Sequence, residues 1–206
     1  MNNFKHIVIG SGPSGIACIG KLLDKQICPS TIRWISKDFR GGELYHYGKV
    51  PANTKVKNIK KFFYQFNSFN YKSYGNLDNY DNESNITVNT ITKELQNTTN
   101  YLSKIVKRIE KPIYKITNEN NYWNIDNLNT NNVYLCTGSY PKILDYDKDI
   151  LLLNDVLNFN VNLPSEIKIG VLGLSHSSVI ALKNLTEMGY YDITCVHNND
   201  IKHAIE

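Results

Sequence analysis

One six-residue stretch limits what this chain can fold into more than any other. Gly10-Ser11-Gly12-Pro13-Ser14-Gly15 reads GSGPSG and follows the apolar run of residues 5–9. Such a run suits a parallel strand buried on both faces. After the glycines, Ile16, Ile19, Leu22, Leu23 and Ile27 recur at helical spacing. Pro13 stands where a first helical turn accepts it, because the N–H it lacks has no partner there. Cys28-Pro29-Ser30 is expected to end the helix, and residues 32–35 to form the next strand. Strand, crossover helix and parallel strand close with a right-handed sense. An α/β fold with a parallel sheet follows.

The glycine pattern has a mechanism. Its first glycine makes a tight turn, its second lets backbone approach a pyrophosphate, and its third lets helix and strand pack closely. The helix start then offers unpaired N–H groups and the positive end of its dipole to phosphates. An acidic residue that holds the ribose is expected ~20 residues further on, at the end of the second strand. Along TIRWISKDFRGGEL that position falls on Ser36, with Lys37 and Asp38 next. Ser36 can accept one ribose hydrogen bond, while Asp38 either reaches in from the loop or is simply solvated. Gly41-Gly42 permits close backbone approach to a ligand or is only a loop. Thr137-Gly138 ends a buried strand at its carboxyl edge, where open α/β sheets bind ligands.

The device recurs. GVLGLSHSS, residues 170–178, repeats the strand–glycine–helix pattern with fewer glycines, and residues 193–196 close a second β-α-β unit. Gly173, Ser175 and Ser177 are candidate phosphate contacts. His176 either neighbours a nicotinamide or caps the helix. Lys202 and His203 are the nearby cations available to a 2′-phosphate, and the choice between NAD and NADP stays open. Between the two units, residues 56–69 and 91–110 read as helices and residues 74–89 as a loop. Residues 111–126 read as a hairpin turning at 118–121, and residues 133–136 as another buried strand. The domains are expected at 1–145 and 146–206.

The balance of 206 residues, 41% hydrophobic and 20% charged, is that of a globular chain, and a net charge of +4 with scattered lysines points to no nucleic-acid partner. Lys55, Lys57, Lys60 and Lys61 read as a solvated helix face. Cys18, Cys136 and Cys195 read as small core residues, no CxxC occurs, and no metal site is expected. No apolar run reaches the ~20 residues of a membrane span, and the N-terminus makes a poor signal peptide. A cytoplasmic protein is the expectation.

Taken together, GSGPSG, the following GGEL of residues 41–44, KVPANTKV of residues 49–56, NVYLCTGSYPK of residues 132–142 and GVLGLSHSS resemble, in order, the motifs of two-dinucleotide-binding flavoproteins. These are the flavin-containing monooxygenases and the pyridine-nucleotide disulfide oxidoreductases. The resemblance implies a Rossmann-like FAD-binding domain with a parallel sheet and a β-hairpin or meander, followed by the first β-α-β of a second Rossmann-like domain. It implies FAD on Gly10, Gly12, Pro13, Ser14, Gly15, Ser36, Lys37, Gly42, Glu43, Leu44, Thr137 and Gly138, with NAD(P)H on the second unit. It brings Asn53 near the flavin, though a turn or cap role for Asn53 is the alternative. Cys136 departs from the family's alanine, and the missing dithiol favours the monooxygenase branch. An NAD(P)H-linked oxidoreductase, or the N-terminal portion of one, is expected. A non-catalytic FAD module and a single-site NAD-binding protein are the rivals. The open edges of an unfinished sheet favour a homo-oligomer.

Overall fold

A computed structural model describes residues 3–119, 122–139 and 149–198. The chain divides into two compact units, Met1–Pro141 and Lys142–Glu206.

In the first unit, β1 (Asn3–Ile9) leads into α1 (Pro13–Asp24) and β2 (Ile32–Ser36). The sheet has six strands in the order β5-β2-β1-β8-β7-β6, where β5 is Lys107–Glu110, β6 Ile116–Glu119, β7 Tyr122–Ile125 and β8 Leu128–Leu135. The first four strands are mutually parallel and the last two antiparallel. Side chains alternate between two cores. Val8 and Trp34 face α1, α2 (Val56–Tyr64) and α3 (Val88–Leu102). Ile7, Ile9 and Ile35 face the opposite side with Ile125.

Several expectations need correction. The helix expected over residues 91–110 ends at Leu102, and Lys107–Glu110 becomes β5. The open edge of β2 takes those four residues as a parallel partner, and Pro112 stands just beyond. Residues 74–89 are not all loop: β4 (Asn85–Thr87) pairs with β3 (Pro51–Lys55), and Thr87 caps α3 by accepting from the N–H of Thr90. The aromatic stretch breaks after Tyr64 and resumes as a 3-10 turn at Asn67–Phe69. The hairpin forms as expected, and its second strand joins β8 through Asp126 and Asn127, both at positive φ (+43° and +72°). That pair is the backbone of a tight two-residue hairpin turn. α1 ends before Cys28, in a Schellman motif in which Gln26 takes φ +59° and Ile27 N–H reaches the Leu22 carbonyl at 3.1 Å. Lys57 and Lys55 pair with Glu83, and Lys60 with Asp78, so that helix face is tied to the 78–83 loop rather than merely solvated.

The second unit holds α4 (Leu153–Leu157), which was not expected, then β9 (Ile169–Leu172), α5 (His176–Glu187) and β10 (Ile193–Val196). The two strands are parallel. Val156, Ile169, Ala181, Leu185 and Tyr190 form its core. Among the described residues, no helix is long and apolar enough to cross a membrane.

Candidate functional site

The turn between β1 and α1 lies at the carboxyl edge of the parallel strands. Gly10 takes φ +111°, and its N–H donates to the Ile35 carbonyl at 2.7 Å. A Cβ on Gly10 would lie 2.1 Å from the Cys136 carbonyl oxygen, and one on Gly15 would lie 2.0 Å from that of Gly10. The protein itself demands these two glycines. Gly12 is different. Its φ −73° and ψ −177° are ordinary extended backbone, and the nearest atom to a Cβ there would be the Cα of Gly42 at 3.7 Å. Nothing in the protein's own packing forbids a side chain, so the bare backbone suits a group that must lie against it. α1 begins at this point with no side-chain cap, leaving its first N–H groups without helical partners. A phosphate fits such a place by hydrogen bonding and by dipole. Pro13 opens the helix and Ser14 beside it is exposed.

A second glycine turn faces the first. Gly41 and Gly42 take φ +89° and +70°, and a Cβ on Gly42 would lie 2.8 Å from the Cα of Gly12. The following 3-10 run, Gly42–Tyr47, carries Glu43 and Leu44. Leu44 packs against the main core. Glu43 makes a loose surface pair with Lys37, at 3.8 Å. Thr137 and Gly138 are exposed at the end of β8, held beside β1 by the Cys136 N–H to the Ile9 carbonyl at 2.8 Å. Hydrogen bonding with Cys18 lowers the Cys136 thiol to about 7, against an opposing effect of burial. Both cysteines pack against the core cluster, as expected of small apolar residues.

Ser36, the residue expected at a ribose, ends β2, and its bonding is defined. The buried Ser11 hydroxyl donates to the Asp38 carbonyl at 2.7 Å and lies 3.0 Å from the Ser36 hydroxyl. With the one Ser11 proton used, Ser36 must be the donor between them. Ser36 therefore keeps only acceptor capacity. The Asp38 carboxylate accepts from the Arg40 N–H within its own loop, at 3.3 Å.

Asn53 is neither a turn residue nor a cap. It lies on β3, exposed, accepting a 3.4 Å bond from the neighbouring Thr54 hydroxyl.

Sequence reasoning missed Trp34 and Ser11. The Trp34 indole donates to the Gly10 carbonyl at 2.8 Å from a fully buried position. A tryptophan on the strand after a glycine turn is the available signal, since a buried indole needs an acceptor.

The second unit repeats the two bonds that hold Gly10 to the second strand. Gly173 takes φ +96°, and its N–H donates to the Val196 carbonyl at 2.7 Å. Cys195 stands where Trp34 does and donates its thiol to the Gly173 carbonyl at 3.3 Å. Ser175 is the N-cap, at φ −85° and ψ 178°, with no side-chain cap bond. This corrects the capping alternative for His176, which is the first helical residue and exposed. Ser177 is half-buried behind it. Lys202 and His203 lie outside the described residues.

Two glycine-led β-α-β units, the first set in a mostly parallel sheet, define a Rossmann-like α/β fold. The comparisons agree. The solved structure of DfoA bound to FAD, a cadaverine monooxygenase from Erwinia amylovora, aligns over 95% of this chain and 51% of its own, with TM-score 0.69 and 12% identity. The bacillithiol disulfide reductase Bdr (YpdA) from Staphylococcus aureus aligns over 100% and 61%, with TM-score 0.65 and 16% identity. A curated relative, monooxygenase AgnR1 of Paecilomyces divaricatus, is 27% identical over 88% of this chain. The chain spans 55% of that relative's length. No protein-family model matches the sequence.

Proposed function

We propose that this chain is the FAD-binding portion, with the start of the nicotinamide-nucleotide portion, of a flavin-dependent, NAD(P)H-linked oxidoreductase of the monooxygenase kind. The observation that carries the reading is Gly12: a glycine that packing does not require, at an uncapped helix start, facing a second glycine turn. The likeness to monooxygenases in sequence and fold supports it.

In this reading the N–H groups at the start of α1 hold the FAD pyrophosphate, Gly12 and Gly42 admit it, and Ser36 accepts from a ribose hydroxyl. Lys37, Glu43 and Leu44 line the approach beside the second glycine turn. Thr137 and Gly138 border it from β8. Gly173, Ser175, His176 and Ser177 hold the nicotinamide nucleotide. When bound, FAD supplies two-electron chemistry, and the protein supplies position and electrostatics. Asn53 is assigned to the flavin by resemblance only. The domain division at 145/146 belongs to the same reading.

The test is direct. The purified chain, incubated with FAD and desalted, retains a flavin absorption band, and Asn53→Ala alters that band more than it alters thermal stability. Anaerobic mixing with NADH and NADPH then reads the second half of the proposal as bleaching. A colourless chain that does not take up FAD overturns the reading, and uptake of NAD in its place would favour the single-site alternative.

A further inference from the structure

The sheet register puts a carboxylate beside the position where one is missing. Ser36 ends β2, and its partner in the parallel ladder is Glu110, which ends β5. Neighbouring strands run about 4.8 Å apart, and the Lys111 N–H donates to the Ser36 carbonyl at 2.8 Å, holding the two strand ends together. Side chains alternate along each strand, so Glu110 shares a face with Arg108, two residues back. That face is known. Arg108 lies over the Phe39 ring, 5.3 Å from its centroid, and Phe39 meets Trp34 edge to face at 5.1 Å. Trp34 in turn bonds the Gly10 carbonyl beneath α1. Glu110 therefore stands on the α1 side of the sheet, at the carboxyl edge, one strand beyond Ser36.

The rival carboxylate is engaged, because Asp38 accepts from Arg40 in its own loop. Glu110 is exposed and makes no hydrogen bond or ion pair among the described residues. A ribose offers two neighbouring hydroxyl donors, and Ser36 has acceptor capacity for one of them. We infer that Glu110 is the ribose-binding carboxylate of the first nucleotide site, accepting from the adenosine 2′-hydroxyl while Ser36 accepts from the 3′-hydroxyl. The role moves from the end of β2 to the end of β5. Glutamate suits the longer reach better than aspartate, having one more methylene.

The inference rests on the proposed nucleotide reading, and ADP and 2′-deoxy-ADP separate the two. Their affinities are measured by calorimetry for the full chain and for Glu110→Ala and Glu110→Gln. Loss of a hydrogen bond to a charged acceptor lowers ADP affinity roughly tenfold in Glu110→Ala and less in Glu110→Gln. The weaker 2′-deoxy-ADP is unaffected by either variant, and melting temperatures stay unchanged because Glu110 is exposed. Equal losses for both ligands, or an unchanged ADP affinity, overturn the assignment of Glu110. Failure of the unsubstituted chain to bind ADP at all overturns the nucleotide reading together with it.

Discussion

Replacing Gly12 by alanine should weaken cofactor binding and leave the fold intact, whereas the same change at Gly10 should destabilise the fold. At Gly12 the backbone is already extended and the nearest atom to the new methyl is 3.7 Å away. Two small effects oppose each other. Alanine restricts the unfolded chain, worth about 0.4–1 kcal/mol, but it is a poorer N-cap than glycine by a similar amount. They cancel to within about 0.5 kcal/mol, or about 2 °C in a chain of this size. The methyl occupies the space in which a phosphate must meet the helix start. Losing one charge-assisted bond there costs about 1.5–3 kcal/mol, a fall in FAD affinity of roughly tenfold to 150-fold. At Gly10 the methyl meets the Cys136 carbonyl at 2.1 Å on a backbone at φ +111°. Strain of about 1–3 kcal/mol and overpacking of about 1–3 kcal/mol then add to about 2–6 kcal/mol. Thermal unfolding and FAD titration of both variants provide the measurement. A Gly12→Ala protein that melts as early as Gly10→Ala, or that binds FAD as tightly as the unsubstituted chain, refutes the reasoning.

Other expectations follow from single contacts. Tyr71→Phe removes the 2.6 Å hydrogen bond to the buried Glu94 carboxylate, which keeps only the longer bonds from Asn76. Urea unfolding should show a loss of about 1–3 kcal/mol. Gln26→Gly relieves a non-glycine residue at φ +59°, where the left-handed penalty of about 1–2 kcal/mol exceeds the extra chain entropy of glycine. It should raise stability by about 0.5–1 kcal/mol, read as a higher melting temperature. Asn184→Ala removes a buried side-chain donor from the Val156 and Leu157 carbonyls, of which Val156 keeps the bond from the Phe159 N–H at 3.2 Å. It should cost about 1–3 kcal/mol and loosen α4, measured as faster amide exchange over residues 153–157.

Local chemistry made much of this protein legible from its sequence. A short apolar run, glycines at fixed offsets and helical spacing after Pro13 determine a strand, a turn and a helix. They do so because sterics at positive φ and the orphan N–H groups of a helix start act within a few residues. The same holds at Gly173, where a glycine-poor copy reproduces the backbone of the first turn. The hairpin was readable too, since side-chain alternation has a period of two. Tertiary structure alone decided what depends on partners distant in the chain. Residues 107–110 carry a sequence that suits a helix end, yet the open edge of β2 takes them as a strand, because an unpaired edge gains a hydrogen-bonded ladder. Gly42 looks like one loop glycine among others until Gly12 lies against it. Trp34 reads as a core residue until its indole is seen to hold the Gly10 carbonyl. Glu110, 74 residues from Ser36 by count and about 5 Å away by strand spacing, stands beside it only through register. Sequence specifies what a backbone can do over one turn, and pairing specifies which side chains then share an edge.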